Sequence, residues 1–263
     1  MDFAPLHCRS HYSLLRATGT PAQLVAACAK QGWATAALTD HHSVAGAMEF
    51  FHACRDHGVR PILGATVQVQ LAFGLVGEVV LLAQGQAGYS QLCRLLSSET
   101  PLSWRRFEEQ NEHLVLLTGG AQGLLRVLSA QQGGQAAQAF LQKAATIWGQ
   151  RCVVELAERK AEDRVWLRRW AQWASDLELL TVVTPDSYYV EPEQKKQWQS
   201  VMSMRTLTLL DQEHEEKLGA GEFHLFENTE LKERFSWHPE GLENSVRVAS
   251  WCETVPIYGW EPS

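Results

Sequence analysis

Two short stretches of this chain end in side chains that could hold a metal or move a proton. The first, Leu6-His7-Cys8-Arg9-Ser10-His11, reads as an apolar strand running into a polar turn; the second, Ala36-Ala37-Leu38-Thr39-Asp40-His41-His42, is an apolar strand that closes on an acid and two imidazoles. Neutral imidazoles and carboxylates are the donors of hydrolytic metal sites, where the bound ion activates water. Arg9 breaks that pattern. A guanidinium stays charged, only donates hydrogen bonds and has no lone pair for a metal. The reading is a metallohydrolase scaffold whose metal chemistry is opposed at one position.

The elements that must place these groups follow from the apolar pattern. Near-continuous apolar runs fall at 5–9, 35–40, 60–70, 78–84, 113–118, 152–158 and 181–186. Runs of this kind, without two-sided alternation, are the mark of parallel strands covered by helices. Between them, amphipathic patterns predict helices opening at Thr20-Pro21 and spanning 44–57, 88–99, 135–148 and 164–178. Thr20 and Pro21 supply a cap and a first-turn proline, and Gly58 stops the second helix. Trp166, Trp170, Trp173 and Leu177 make one apolar stripe at helical spacing, read as packing. Seven such units favour a closed or nearly closed parallel barrel over an open doubly wound sheet. After about residue 190 the pattern turns helical (192–206, 228–235, 239–252), a tail packed on the barrel. The expected organisation is one domain, 1–263, with the barrel over about 1–190 and the tail over about 191–263.

In parallel α/β folds, functional groups collect at the carboxyl ends of the strands. Those ends carry His7 and Arg9, Asp40 and His41, Thr66, Gly119-Gly120, Glu158-Arg159, and Asp186 with Tyr188, whereas Glu78 falls at the start of its strand. Cys8 alternates away from His7 and is expected in the core. His11, His42, His52 and His57 are expected at the surface.

Composition narrows the classes. The 263 residues carry 45% hydrophobic and 20% charged side chains, as a soluble globular protein does. A formal charge of −7 argues against a free-standing nucleic-acid binder, so no direct sequence-specific nucleic-acid binding is expected. No apolar stretch approaches the roughly 20 residues needed to cross a bilayer, and the N-terminus has no signal-peptide pattern. The six cysteines are scattered without a C-x-x-C pair, as reduced thiols of a cytoplasmic protein would be.

Several of these runs together resemble a known family. L-H-C-R-S-H-Y-S-L-L, A-L-T-D-H-H-S-V-A-G-A-M-E-F and R-P-I-L-G-A-T-V-Q-V look like the opening of a PHP domain, the polymerase and histidinol phosphatase superfamily. The likeness is narrower to the N-terminal PHP domain of bacterial DNA polymerase III alpha subunits, the error-prone branch included. It continues through V-V-L-L-A-Q-G-Q-A-G-Y-S-Q-L-C-R-L, H-L-V-L-L-T-G-G, C-V-V-E-L, V-V-T-P-D-S-Y-Y-V and G-L-E-N-S-V-R-V-A-S-W-C. The resemblance implies a distorted seven-stranded (β/α)7 barrel. Active members hold a multinuclear metal cluster that hydrolyses phosphoester bonds. Matched position by position, His7, His41 and Asp186 keep ligand identity, with Asp40 beside His41 and Glu78 in place of a histidine. Arg9 replaces the second histidine of H-x-H, Arg16 an aspartate, Thr66 an acid, Gly120 a cysteine or equivalent, and Tyr188 a histidine; Arg159 falls near a further polar position.

The resemblance therefore implies either no cofactor or a single divalent metal, zinc or manganese, on His7, His41 and Asp186, and not an intact three-metal cluster. Arg9, Arg16 and Arg159 would act as built-in cations neutralising Asp40, Asp186 and Glu78. The expectation is a degenerate domain, inactive as a hydrolase, serving as a structural and interaction module in DNA replication or translesion synthesis. Its partners would be a polymerase core and a proofreading exonuclease subunit, with no membrane. The rival expectation is an active metal-dependent phosphoesterase or 3′–5′ exonuclease with a reduced metal site. A third is an arginine-lined pocket that binds phosphate without catalysis.

Overall fold

Seven strands form one curled sheet: β1 (Thr35–Leu38), β2 (Arg60–Gln70), β3 (Val76–Ala83), β4 (Leu102–Ser103), β5 (Leu114–Leu117), β6 (Cys152–Leu156) and β7 (Thr181–Val183). The computed structural model describes residues 1–71, 74–98, 100–214, 216–218 and 221–252. Strand order is β1-β2-β3-β5-β6-β7, with the short β4 beside β2. Residues 5–9 close the gap between the two ends of the sheet. The amides of Ala37 and Thr39 donate to Pro5 O and Cys8 O at 2.9 and 2.8 Å, while Arg9 N donates to Ser187 O at 3.1 Å and Ser187 N to His7 O at 3.2 Å. The expected strand at 5–9 is thus a bridging segment, with an isolated ladder contact at Cys8 and Ser187.

One feature departs from the all-parallel expectation. β1–β2, β5–β6 and β6–β7 pair in parallel, but β3 runs antiparallel to both β2 and β5. A strand buried on both faces reads the same in either direction, so hydropathy carried no sign of the reversal. Its effect is positional: the first residues of β3 lie at the end of the sheet where the other strands finish, and Glu78 sits opposite Gln68.

Helices cover the outside. α1 (Pro21–Lys30), α2 (Ala47–His57), α3 (Gly85–Leu96), α6 (Gly134–Trp148) and α7 (Arg164–Asp176) fall where amphipathic patterns place them, whereas α4 (Trp104–Glu109), α5 (Leu124–Gln131) and β4 were not anticipated. The start of α1 is a reciprocal capping box, Thr20 Oγ1 accepting from Gln23 N and Gln23 Oε1 from Thr20 N, both at 3.0 Å. On α7 the buried face runs through Leu167, Trp170 and Ala174, so Trp166 and Trp173 flank the stripe and are only partly covered. The tail contributes α8 (Lys195–Thr206), α9 (Asn228–Arg234) and α10 (Glu240–Ser250).

Two apolar layers result. The inner one joins Leu6, Ala37, Ile62, Val80, Leu82, Val115, Leu117, Val153 and Val182 to Val248, Ala249 and Cys252 from the end of the chain's last described helix. The outer layer packs the opposite strand faces against the helices and includes Cys8. Arg60 ties α10 down, donating to Cys252 O at 2.5 Å and Ala249 O at 2.8 Å, at the helix end where a cation is favoured.

Candidate functional site

At the other end of the sheet the inward positions turn polar. Thr66 shares a face of β2 with the inner-layer Ile62, Glu78 is the third residue of β3 and Glu155 shares a face of β6 with the inner-layer Val153; all three are buried. His7 and Arg9 reach them from the segment between β1 and β7, and Asp186 and Tyr188 come from the loop after β7.

His7 is fixed on both ring nitrogens. Nδ1 lies 2.6 Å from Glu155 Oε1, and Nε2 lies 3.1 Å from Thr66 Oγ1 and 3.4 Å from Asp186 Oδ1. Thr66 donates its own proton to Thr39 O at 2.9 Å, so it meets His7 as an acceptor. Glu155 Oε1 also receives the hydroxyl of Thr184. No ring nitrogen of His7 is left for an outside ligand.

Arg9, 3% exposed, occupies the centre. It donates from Nη1 to Asp186 Oδ1 at 2.5 Å and from Nη2 to Glu78 Oε2 at 3.3 Å, and its guanidinium carbon lies 4.2 Å above the centre of the Tyr188 ring. Burial works against its charge, but Tyr188, Asp186 and Glu78 outweigh burial and hold it above the ordinary arginine range. Asp186 shows the complementary balance. Burial pushes its carboxyl up, yet Arg9 and His7, with hydrogen bonds from Arg9 and from Ala121 N at 2.6 Å, hold it below the usual carboxylate range. Gly120 makes room for this. A Cβ there would stand 2.1 Å from Asp186 Oδ2, so Asp186 fills the space into which a side chain at 120 would project.

The rim is built by the turn after Arg9. Asp40 accepts from Ser10 N (2.6 Å), Ser10 Oγ (2.8 Å) and Ser13 Oγ (2.6 Å), bonds that lower its carboxyl without cancelling the rise that burial imposes. Its described hydrogen bonds therefore hold the turn and do not reach Arg9. Ser13 Oγ in turn accepts from His41 N at 2.9 Å. Arg16 is held through its carbonyl, which accepts from Trp198 Nε1 of α8 at 2.9 Å, and its guanidinium lies 3.7 Å from Glu78 Oε1. His41 Nε2 is also 3.7 Å from that oxygen, and neither of its ring nitrogens has a hydrogen-bond partner. Burial, then Arg16, His42 and Arg9, drive its imidazole far below the ordinary range, so it is neutral.

Arg159 stands apart. Its Nε and Nη2 donate to Asp163 at 3.3 Å each, alongside Arg126, which binds the same carboxylate at 3.0 Å. The structure thus brings His7, Arg9, Thr66, Glu78, Asp186 and Tyr188 into one network, places Arg16 and His41 at its rim, and gives Asp40 and Arg159 other partners. Sequence reasoning assigned no role to Glu155. The signal was present: a carboxylate inside the apolar run Cys-Val-Val-Glu-Leu must be hydrogen-bonded to be buried.

These donors do not fit a metal cluster. Both nitrogens of His7 face oxygens, Asp186 spends one oxygen on Arg9 and the other on an amide, and the Arg9 cation stands between Asp186 and Glu78. At 4 Å two like unit charges repel by about 4 kcal/mol at an effective dielectric near 20, and a divalent ion doubles that. Among the described residues no set of three or more His, Cys, Asp or Glu side chains converges as a metal-holding group.

The family model of the PHP domain matches residues 5–159, more than half of the sequence. The chain belongs to the PHP domain family. Among curated proteins, this PHP domain is 28% identical to DNA polymerase III subunit alpha of Bacillus subtilis over 262 residues, covering 96% of this chain and 23% of that protein. The subunit from Caulobacter vibrioides is 28% identical over 271 residues (95% and 23%), and the error-prone DNA polymerase of Symbiobacterium thermophilum is 27% identical over 282 residues (97% and 25%). The PHP domain thus spans about a quarter of the length of these relatives. Among solved structures, a two-domain protein from Bacteroides vulgatus containing a predicted PHP-like metal-dependent phosphoesterase superposes with a TM-score of 0.51 at 15% identity, covering 74% of this chain and 56% of that one. That likeness concerns the fold, a distorted (β/α)7 barrel.

Proposed function

We propose that this PHP domain works without a metal, as a structural and protein-interaction module of a bacterial DNA polymerase of the DNA polymerase III alpha or error-prone type. The observation that carries the reading is the Arg9 guanidinium between Asp186 and Glu78, where it supplies internally the positive charge that a cation would otherwise bring. The barrel and its helical tail act as one domain, packed on a polymerase core and offering a surface to a proofreading exonuclease subunit. A cytoplasmic setting suits this role, and no helix among the described residues is long and apolar enough to cross a membrane.

The decisive experiment is elemental analysis of chain purified without chelator, paired with a phosphoesterase assay in added manganese. The expected result is less than one tightly bound metal per chain and no hydrolysis above a blank. Two or more tightly bound metals, or hydrolysis abolished by His7→Ala, would overturn the proposal in favour of a metal-dependent phosphoesterase.

A further inference from the structure

The outer face of α7 carries two arginines that pair with no carboxylate among the described residues. Val165, Arg168, Arg169 and Gln172 stand at i, i+3, i+4 and i+7, one stripe along the helix, and all four are exposed. Neither arginine side chain has an ion pair or a hydrogen bond there. Each is laid on an indole instead. The guanidinium carbon of Arg168 lies 5.6 Å from the centre of the Trp237 ring, and that of Arg169 lies 5.1 Å from the centre of the Trp166 ring. Arg169 Nη1 and the Trp173 ring also close over the start of α6, where a Cβ on Gly134 would stand 3.6 Å from both.

In a chain of net charge −7 carboxylates outnumber cations, yet those near α7 are engaged elsewhere or stand off. Glu158 holds Arg164 at 2.8 and 3.0 Å, Asp163 holds Arg126 and Arg159, and Asp176 accepts from Gln172 Nε2 at 2.9 Å. Glu162 and Glu178 make no ion pair with either arginine. Stacking covers one face of each guanidinium and leaves its edge, where the N–H donors point, open to solvent. The indoles also hold both guanidinia in place, which removes rotamer freedom that a partner would otherwise have to freeze. Arginine and tryptophan are the side chains that most often dominate binding at protein interfaces.

We propose that this face docks an acidic linear peptide segment of a protein partner, with carboxylates on Arg168 and Arg169 and an apolar side chain on Val165, which is 72% exposed. A guanidinium edge and a carboxylate form two parallel charge-assisted bonds, so the partner's chemistry follows from the free groups. A nucleic-acid strand fits less well. A phosphate backbone is held by a row of cations, whereas Glu162, Asp176 and Glu178 stand exposed at the ends of α7. Bases stack on open aromatic faces, and arginine already covers one face each of Trp166 and Trp237. The proposal rests on the reading of this domain as an interaction module and gives one partner a chemistry. It shares no residue with the network around Arg9.

The test is fluorescence anisotropy with the whole 263-residue chain and a labelled peptide of alternating glutamate and leucine. Its glutamine–leucine counterpart and a labelled oligothymidylate serve as comparisons. Saturable binding of the glutamate peptide is expected, weakening as salt rises and falling about tenfold or more in the double variant Arg168→Gln, Arg169→Gln. Arg105→Gln, an exposed control paired with Glu109, should bind as the native chain does. The reversed variant Arg168→Glu, Arg169→Glu should lose that peptide and bind a lysine–leucine one, a swap that loss of folding cannot produce. No saturable binding, equal binding of the glutamine peptide, or full affinity in the double variant would overturn the proposal. Tighter binding of oligothymidylate, lost in the same variant, would overturn it in favour of a nucleic-acid surface. Should both variants misfold, the indole ¹⁵N resonances of Trp166 and Trp237 in the native chain decide: shifts on peptide addition support the site, and their absence counts against it. Metal content bears on the module reading and peptide binding on this face, so the two failures are distinguishable.

Discussion

Arg9 carries more of this site than any other side chain, and its removal exposes what it balances. Arg9→Ala would leave Asp186 and Glu78 buried without the guanidinium that joins them. Breaking one member of a buried ion network costs about 3–5 kcal/mol, because the remaining charge stays desolvated. Urea denaturation should show that loss, and the triple variant Arg9→Met, Asp186→Asn, Glu78→Gln should lose less than Arg9→Ala alone. A second residue sets acid sensitivity. Burial first, and Arg16 second, push the His42 imidazole down to about 4, while the unfolded chain titrates near 6.5. Between those values the unfolded chain takes up a proton that the folded chain refuses. Stability is then fully present above about pH 6.5 and falls as pH drops through that window. Unfolding free energies measured across it should decline in the native chain and decline less in His42→Asn. Neutral His41, depressed in the same direction, retains part of the slope.

At the scale of elements, the reversed β3 and the closing α10 do the positioning. Had β3 run parallel to its neighbours, Glu78 would stand at the far end of the sheet, and Arg9 and Arg16 would lose their shared carboxylate. α10 seals the opposite end, and Arg60 is its clamp: two charge-assisted bonds to the carbonyls of Ala249 and Cys252. Arg60→Met keeps the apolar stem and removes both bonds, so a loss of about 1.5–3 kcal/mol in thermal or chemical unfolding is expected. Hydrogen exchange in α10 should rise before exchange in β5 and β6, because the helix is held at the edge of the inner layer while those strands lie within it.

Across the whole molecule the thiols report how the layers are sealed. Burial pushes Cys8, Cys54, Cys152 and Cys252 up to about 12 and Cys28 well above its ordinary value, and all five are buried; Cys93 alone among the six is partly open. Iodoacetamide near pH 8 should therefore alkylate the native chain at Cys93 and reach the others only in denaturant, as mass spectrometry of the labelled chain would show. Much of this architecture was legible in the sequence, because strands buried on both faces leave long apolar runs and their helices keep a 3.6-residue pattern. The capping box at Thr20 and the stop at Gly58 lie where their residue types require. Strand direction was not legible, since the β3 run carries no polarity. Nor was the alternative partner of Arg159, because Asp163 four residues on competes with a carboxylate across the barrel, and spacing cannot say which is nearer. Glu155 was not legible as a site residue because the apolar run at 152–158 puts its end at Glu158, whereas β6 stops at Leu156 and leaves Glu155 one residue from the strand end.

The fit between Gly120 and Asp186 has a consequence for how such a site can change over generations. A side chain at 120 collides with Asp186, and Asp186 cannot move while Arg9 and the amide of Ala121 grip both its oxygens. Arg9 cannot be exchanged without stranding Asp186 and Glu78. Each of the three positions is thus held in place by the other two, and any route of single substitutions toward a histidine- and cysteine-rich version of this pocket passes first through less stable chains.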